Sequence, residues 1–205
     1  FSYLGQNGLT EIRNANSARI DGLELDLAWA ATYNLQINGG FAWYDAKLTA
    51  NYCGWLKPDG SPETSCPAGT VDPNGNVVSG PLAANGTRLP VTAKFKGNLN
   101  ARYTFDFHGG EAYWQASVAH QGDRTNDLRD AQSAVFGKLG AYTLTDLSAG
   151  WKKDSWSIDV FLKNAFNTRG QLARFSECAA LTCGQESYTV FAQPRTLGVR
   201  FSKEF

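Results

Sequence analysis

The sequence predicts an all-β fold, an antiparallel transmembrane β-barrel segment of about seven strands. Three observations predict it. Apolar and polar residues alternate with period two along most of the chain, short turns alternate with long loops, and aromatic residues gather beside the short turns. Successive side chains of a strand point to opposite faces, so period-two alternation makes one apolar and one wet face.

The clearest run is Phe95, Gly97, Leu99, Ala101, Tyr103 and Phe105, interleaved with Lys96, Asn98, Asn100, Arg102, Thr104 and Asp106. Before it, Leu23, Leu25, Leu27 and Trp29 alternate with Glu24, Asp26 and Ala28, and Leu35, Ile37, Gly39, Phe41 and Trp43 alternate with Gln36, Asn38, Gly40 and Ala42. After it come Ala112, Trp114, Ala116 and Val118, then Thr143, Thr145, Leu147, Ala149 and Trp151. Trp156, Ile158, Val160 and Leu162 follow, and the last strand offers Leu197, Val199, Phe201 and Phe205. This makes seven strands, with 1–4 as a candidate tail of an eighth. On this reading Leu99, Leu147, Ile158 and Val199 face lipid, while Asn98, Asn100, Asp159 and Arg200 face the lumen.

The connections at 32–34, 107–110 and 153–155 are short. Those at 51–89, 122–139 and 167–187 are long, polar and rich in Gly, Asn, Asp and Pro. Short turns on one rim and long loops on the other is the asymmetry of an outer-membrane barrel, with the periplasm below and the exterior above. Trp29, Tyr103, Phe105, Trp114, Trp151 and Trp156 lie within a few residues of a short turn, which reads as an interfacial aromatic girdle. Tryptophan is also simply favoured in strands, but four of the six Trp beside short turns favours the girdle.

Composition narrows the function. Lys+Arg and Asp+Glu are each 19, so the net charge is zero and nothing favours nucleic acid as a partner. No run approaches the roughly 20 apolar residues of a membrane helix, a test that is blind to barrels because their two faces cancel. The chain has no Met and no signal peptide, so its N-terminus is expected to lie inside a longer protein.

The four cysteines fall into two close pairs, Cys53 with Cys66 and Cys178 with Cys183. An even count in polar, Gly/Pro-rich loops points to two disulfides and an oxidising compartment. Zinc is the alternative, but there is no Cys-x-x-Cys spacing and neither His is near a Cys in sequence. No metal site, cofactor or catalytic residue is expected. His108 sits in a turn and His120 near a strand end, without a Ser or Asp at motif spacing. Glu24, Asp26, Lys96, Arg102 and Asp106 read as polar wall residues of the lumen. The run from Gly122 to Asp130 is dense in charge. Its Asp123, Arg124, Asn126, Asp127 and Arg129 are candidates for touching ligand or lipopolysaccharide, against the plainer reading of a solvated loop tip. Its acidic residues do not match calcium-loop spacing.

Several segments carry a family resemblance. Ala18-Arg19-Ile20-Asp21-Gly22-Leu23-Glu24-Leu25 resembles the Gly-Val/Leu-Glu start of a descending strand in TonB-dependent receptors. Leu89-Pro90-Val91-Thr92-Ala93-Lys94-Phe95-Lys96 resembles their Leu-Pro-x-x-Pro-Lys-Phe strand start, with Ala93 in place of Pro. Lys163-Asn164-Ala165-Phe166-Asn167-Thr168-Arg169-Gly170 is similar to their Asn-Leu-Phe-Asp-Lys-Arg-Tyr segment, with Ala165, Asn167 and Gly170 as departures. Pro194-Arg195-Thr196 and the alternating strand to Phe205 resemble the family's last strand. The resemblance implies that 1–205 is the C-terminal portion of a 22-stranded barrel of the bacterial outer membrane, without its N-terminal strands and plug domain. It implies import of a scarce nutrient (a metal chelate, cobalamin or an oligosaccharide) with energy from the inner-membrane TonB complex, and no enzymatic chemistry. The implied partners are outer-membrane lipid and lipopolysaccharide, the remaining strands and plug, and that complex.

Strand parity agrees. Counting back through seven strands from a periplasmic C-terminus puts 1–17 outside, whereas a complete barrel has an even count and both ends in the periplasm. Two open edges in lipid are not tolerable. The alternatives are a small closed adhesin or structural barrel, which needs a full eighth strand, a barrel hydrolase, which needs a His paired with a nucleophile, and a soluble β-sandwich lectin.

Leu197, Val199, Phe201 and Phe205 share one face of the last strand, with Lys203 as the exception. Lys203 sits near the rim, where its stem covers apolar surface and its charge reaches water. A terminal aromatic on such a strand resembles the signal read by barrel-assembly machinery, since an unpaired last strand presents an edge that another sheet can capture. Deleting Phe205 from the full-length protein is expected to slow assembly and lower its outer-membrane level, with little loss of stability in barrels that do form. Equal membrane levels at modest expression would leave Phe205 as only the last member of the girdle.

Overall fold

The computed structural model describes residues 2–4, 10–12, 14–175 and 186–204. In chain order the strands are β1 (Ser2–Leu4), β2 (Thr10–Ile12), β3 (Ala18–Ala30), β4 (Leu35–Leu48), β5 (Phe95–Phe107), β6 (Gly110–Gln121), β7 (Arg124–Thr125), β8 (Lys138–Leu139), β9 (Tyr142–Lys153), β10 (Trp156–Lys163), β11 (Gln171–Phe175), β12 (Tyr188–Phe191) and β13 (Thr196–Lys203). One helix, α1 (Asp130–Phe136), lies between β7 and β8. No helix is long and apolar enough to cross a membrane, which says nothing about crossing with strands.

Seven strands form one sheet in the order β13-β10-β9-β6-β5-β4-β3, every pair antiparallel. They are the seven that the alternation marks. The candidate eighth strand is different: Ser2–Leu4 pairs with Thr10–Ile12 in a separate two-stranded unit. Two further short hairpins, β7 with β8 and β11 with β12, sit in the long loops. The helix was not legible in the sequence, because seven residues give too few turns for a 3.6-residue period to register.

Strand pairing fixes the faces. Directly paired residues project to the same side, so the chain of partners Leu27, Gly39, Leu99, Val118 and Thr145 defines one face, and Val160 with Val199 and Ile158 with Phe201 continue it. Leu147 joins it through Ala116. The other face carries Asn98, Asn100, Asp159 opposite Arg200, and Asp106 opposite Glu111. The expected lipid and lumen orientations therefore hold in register.

The six aromatics of the expected girdle all fall on the apolar face. From Trp156 beside Lys153 their line climbs two residues to Trp151, two more to Trp114 beside Tyr103, and two more to the row of Trp29 and Ile37, six residues over five strand steps. At roughly 3.4 Å per residue and 4.8 Å per strand that line is inclined by about 40° to the normal of the strands. This is the tilt of strands in membrane barrels, so Trp156, Trp151, Trp114, Tyr103 and Trp29 lie at one height once the strands are tilted, with Phe105 two residues below Tyr103 on β5. Trp151 also donates Nε1–H to the carbonyl of Phe107 at 2.8 Å, which ties its polar atom to the turn.

On the lumen face three glycines sit beneath aromatic rings of their partner strands. Tyr44 covers Gly22, Tyr113 covers Gly150 and Phe161 covers Gly198, each a directly paired couple. A Cβ at any of the three would fall within 2.5 Å of the ring, so the ring occupies the space a side chain would take.

The sheet buries neither face by itself: β3 is exposed along its whole length, and Leu23, Leu25, Leu27 and Trp29 are all open. The compact apolar cluster of the described residues is elsewhere, at the upper rim, where Leu48, Tyr52, Ala83 and Leu128 pack with Ala15 and Leu89. Leu99 sits at mid-strand on the apolar face, 49% exposed. In the full-length protein, Leu99→Arg is expected to cost about 2–4 kcal/mol of folding stability in bilayers. Denaturant titration in vesicles measures it, and a change within about 0.5 kcal/mol would mean that Leu99 does not face hydrocarbon.

Candidate ligand-recognition rim

All three long connections, 49–94, 122–141 and 164–195, leave the same edge of the sheet, and the three short turns leave the other. The first long loop is held internally by the Cys53–Cys66 disulfide, with both cysteines buried. Backbone bridges pair Tyr52 with Ala83, Leu56 with Pro62 and Val71 with Val77. Side-chain carboxylates close its tight turns. Asp72 accepts from the backbone N–H of Asn76 and Asn74, and Glu63 from those of Ser65 and Thr64. Asp59 accepts from the hydroxyl and backbone N–H of Ser61. These donors hold all three carboxyls below the usual carboxylate range. The second expected pair, Cys178 with Cys183, lies outside the described residues, as does Phe205.

The loops are stitched to one another. Arg88, just before the Leu89-Pro90 segment, pairs with Asp123 at 3.0 Å and donates to the carbonyls of Thr92 and Asp123. Backbone bonds run from Val91 to Thr125 and from Asp130 to Leu82. The second loop is tied to the third by Arg124, which donates to the carbonyls of Gln171 and Leu172, and by Asn126, which donates to that of Arg174. Arg174 in turn donates to the carbonyl of Phe136 at the end of α1. The third loop is anchored by Asn164, which is buried and has a positive φ of 46°. Its side chain donates to the carbonyls of Thr168 and Gln193 and accepts from the N–H of Thr168. Asn167 accepts the N–H of Arg195, so this turn fixes where β13 begins.

None of the five charge-run candidates is a solvated loop tip. Arg124 and Asp127 are buried, and Asp123, Asn126 and Arg129 are half-buried. Asp127 and Arg129 pair with each other at 2.8 Å, and the other three make the ties above. Arg88 and Arg174 belong to the same cluster and were missed, because no local pattern connects either of them to a segment 35 or more residues away.

The wall residues form two groups on the lumen face. Glu24, Asp26 and Lys96 line a hollow of about 420 Å³ with Tyr44, Asn98 and Gln121. Tyr44 donates to Glu24, and Lys96 lies over the Tyr44 ring. Lower down, Arg102 stacks on Tyr113 at 3.6 Å, and Tyr113 donates to Asp159 at 2.7 Å. Asp106 belongs to neither group. His120 is on the apolar face, where Nδ1 lies 2.9 Å from the Thr143 hydroxyl, and His108 stacks edge-on against Phe107 in its turn. No group of three or more metal-binding side chains occurs among the described residues.

Comparison with known proteins assigns the family. Residues 2–165 match the model described as TonB dependent receptor-like, beta-barrel. The chain belongs to the TonB-dependent receptor family. The ferric yersiniabactin uptake receptor FyuA from Yersinia pestis matches 94% of this chain with 24% of its own, at TM-score 0.66 and 17% identity. BauA, the ferric preacinetobactin receptor from Acinetobacter baumannii, matches all of this chain with 25% of its own, at 0.62 and 16%. The ferric-catecholate import receptor Fiu from E. coli K12 also matches all of it, with 23% of its own, at 0.60 and 15%. No curated protein matches in sequence. The chain thus spans about a quarter of these receptors. TonB-dependent receptors are β-barrels of the Gram-negative outer membrane, and this chain is one part of such a barrel, with β3 and β13 each paired on one side.

The disulfide makes one expectation measurable. Cys53→Ser with Cys66→Ser in the full-length receptor should leave the barrel folded. It should lower the stability of the first loop by up to about 3 kcal/mol on the chain-entropy model. Limited proteolysis is expected to cut within 53–66 in the variant faster than in the parent. Labelling of Cys53 and Cys66 in native, unreduced protein would disprove the bridge.

Proposed function

We propose that this chain is the C-terminal part of an outer-membrane receptor-transporter. It takes up a scarce nutrient from outside the cell, with a ferric chelate first among the candidates, and energy comes from the inner-membrane TonB complex. The observation that carries the reading is the sheet itself: seven tilted strands, one apolar and one polar face, and every long loop on one rim, in a chain of this family. That the similar structures are receptors for iron chelates favours a ferric chelate over cobalamin or an oligosaccharide. The remaining strands pair with the free edges of β3 and β13, and a plug domain meets the polar face. The loops bind and no covalent chemistry is involved.

The test is uptake. Cells carrying the full-length receptor are supplied with iron-55 as ferric catecholate, phenolate and citrate chelates. At least one chelate should accumulate tenfold or more above receptor-deficient cells, and the gain should vanish in cells lacking the TonB complex. Equal accumulation of all three chelates with and without the receptor would remove the ferric-chelate reading. Uptake indifferent to TonB would remove the energy coupling.

A further inference from the structure

We propose that Lys153 and Lys203, one on each side of Trp156, form a binding site for an anionic glycerophospholipid on the lipid-facing wall at the short-turn rim. The occupant is a lipid of the periplasmic leaflet, a partner of the barrel wall rather than the imported ligand. The inference rests on the orientation of the sheet, with its short turns toward the periplasm, and on no property of the transported nutrient.

Strand register places the three residues in one row. Trp156 is directly paired with Lys153 on β9 and with Lys203 on β13, so all three project to the apolar face. The lysines stand two strand spacings apart, about 10 Å at the backbone, with the indole between them. The Nζ of Lys203 lies 4.9 Å over the Trp156 ring. The Nζ of Lys153 donates to the carbonyl of His108 in the neighbouring turn at 3.3 Å. An ammonium has three donors, so that bond leaves it able to serve a phosphate as well. Next up the wall Ile158 pairs with Phe201, 72% exposed, which gives the first methylenes of an acyl chain a surface to lie on.

Charge is sorted by side at this rim. On the lumen side Glu204 is bonded to Lys152 at 2.8 Å, and Asp106 is paired in register with Glu111. Asp154 lies in the turn beyond the row. On the lipid side the residue two along is Trp151 from Lys153 and Phe201 from Lys203. The opposite rim is built differently. There Arg19 and Lys47 are paired on the apolar face, and each has an acid two residues along its own strand, Asp21 and Asp45, both at 2.7 Å.

A lysine on a lipid-facing wall is tolerated where its stem covers apolar surface and its ammonium reaches the headgroups. The aromatic belt marks that depth, and Trp156 belongs to it. A phosphate resting against the indole meets both ammonium groups. A zwitterionic headgroup brings a cation of its own to that place, and an anionic one does not. A cationic side chain at an anionic lipid surface is worth roughly fivefold in affinity, and two act on one headgroup here.

The experiment titrates the full-length receptor in detergent with phosphatidylglycerol and with phosphatidylcholine of the same acyl chains, counting bound lipids by native mass spectrometry. The first phosphatidylglycerol should bind tenfold or more tighter than the first phosphatidylcholine. Lys153→Gln with Lys203→Gln should cut that preference tenfold or more, and each change alone about fivefold. Lys57→Gln, on the exposed first loop, should leave it unchanged. If the double variant does not assemble, the single variants decide. A preference below about twofold, or one that the variants leave unchanged, overturns the proposal and leaves both lysines as plain rim residues. Lipid A is titrated in the same way. A larger loss for lipid A than for phosphatidylglycerol would make lipid A the occupant and overturn the phospholipid. The measurement needs neither nutrient nor TonB complex, so its failure leaves the transport reading standing, and failed uptake leaves the lipid site standing.

Discussion

Hydrocarbon offers a backbone no hydrogen bonds, and from that constraint the rest of this structure follows. Each N–H and C=O within the membrane must find its partner in a neighbouring strand, so the seven long strands pair continuously and without a helix or loop between the interfaces. Continuous pairing fixes register, and register fixes the faces, because a slip of one residue would turn every apolar side chain inward. The same pairing sets the tilt that levels Trp29, Trp114, Trp151 and Trp156. Among the described residues β3 and β13 are each paired on one side, so their outer edges are where the constraint is still unmet.

The two faces then answer to different solvents. The outer one needs only to be apolar, and there Leu99 lies against Gly39 and Phe41 against Gly97. The inner one holds charges, and it handles them by local pairing: Tyr113 is both a ring beneath Arg102 and a donor to Asp159. Lumen-facing glycines under Tyr44, Tyr113 and Phe161 let these rings lie flat along the wall, which keeps large side chains close to the sheet.

Above the membrane the problem reverses. Water satisfies the backbone there, so nothing obliges the long loops to pair, yet they are tied by arginine side chains acting on main-chain carbonyls and by a small apolar cluster. Leu48 at the top of β4 and Leu128 in the second loop belong to that cluster, so the loops rest on the barrel wall. For the receptor function proposed above, loops ordered ahead of the ligand would lower the entropy cost of capture.

The sequence alone determined the strands, their faces and their direction. A period of two is a local property, readable from neighbours two residues apart, and long loops rich in Gly, Pro, Asn and Asp declare themselves by composition. It also carried the family, through the Gly22-Leu23-Glu24, Leu89-Pro90 and Asn164 segments. Their structural work emerged only in three dimensions, where Asn164 and Asn167 pin the start of β13, and the Leu89-Pro90 segment joins two loops. What the tertiary structure decided was everything that depends on partners distant in sequence. The strand tilt came from the accumulated offset of pairs, which no single strand contains. The short hairpin β1–β2 and helix α1 carry too few residues to show a period. Arg124 read as one more charge in a polar run. Only the approach of Gln171 and Leu172, 47 and 48 residues away, gave its guanidinium the main-chain carbonyls it bonds. Burial and charge compensation are properties of neighbours in space, and a linear pattern does not specify them.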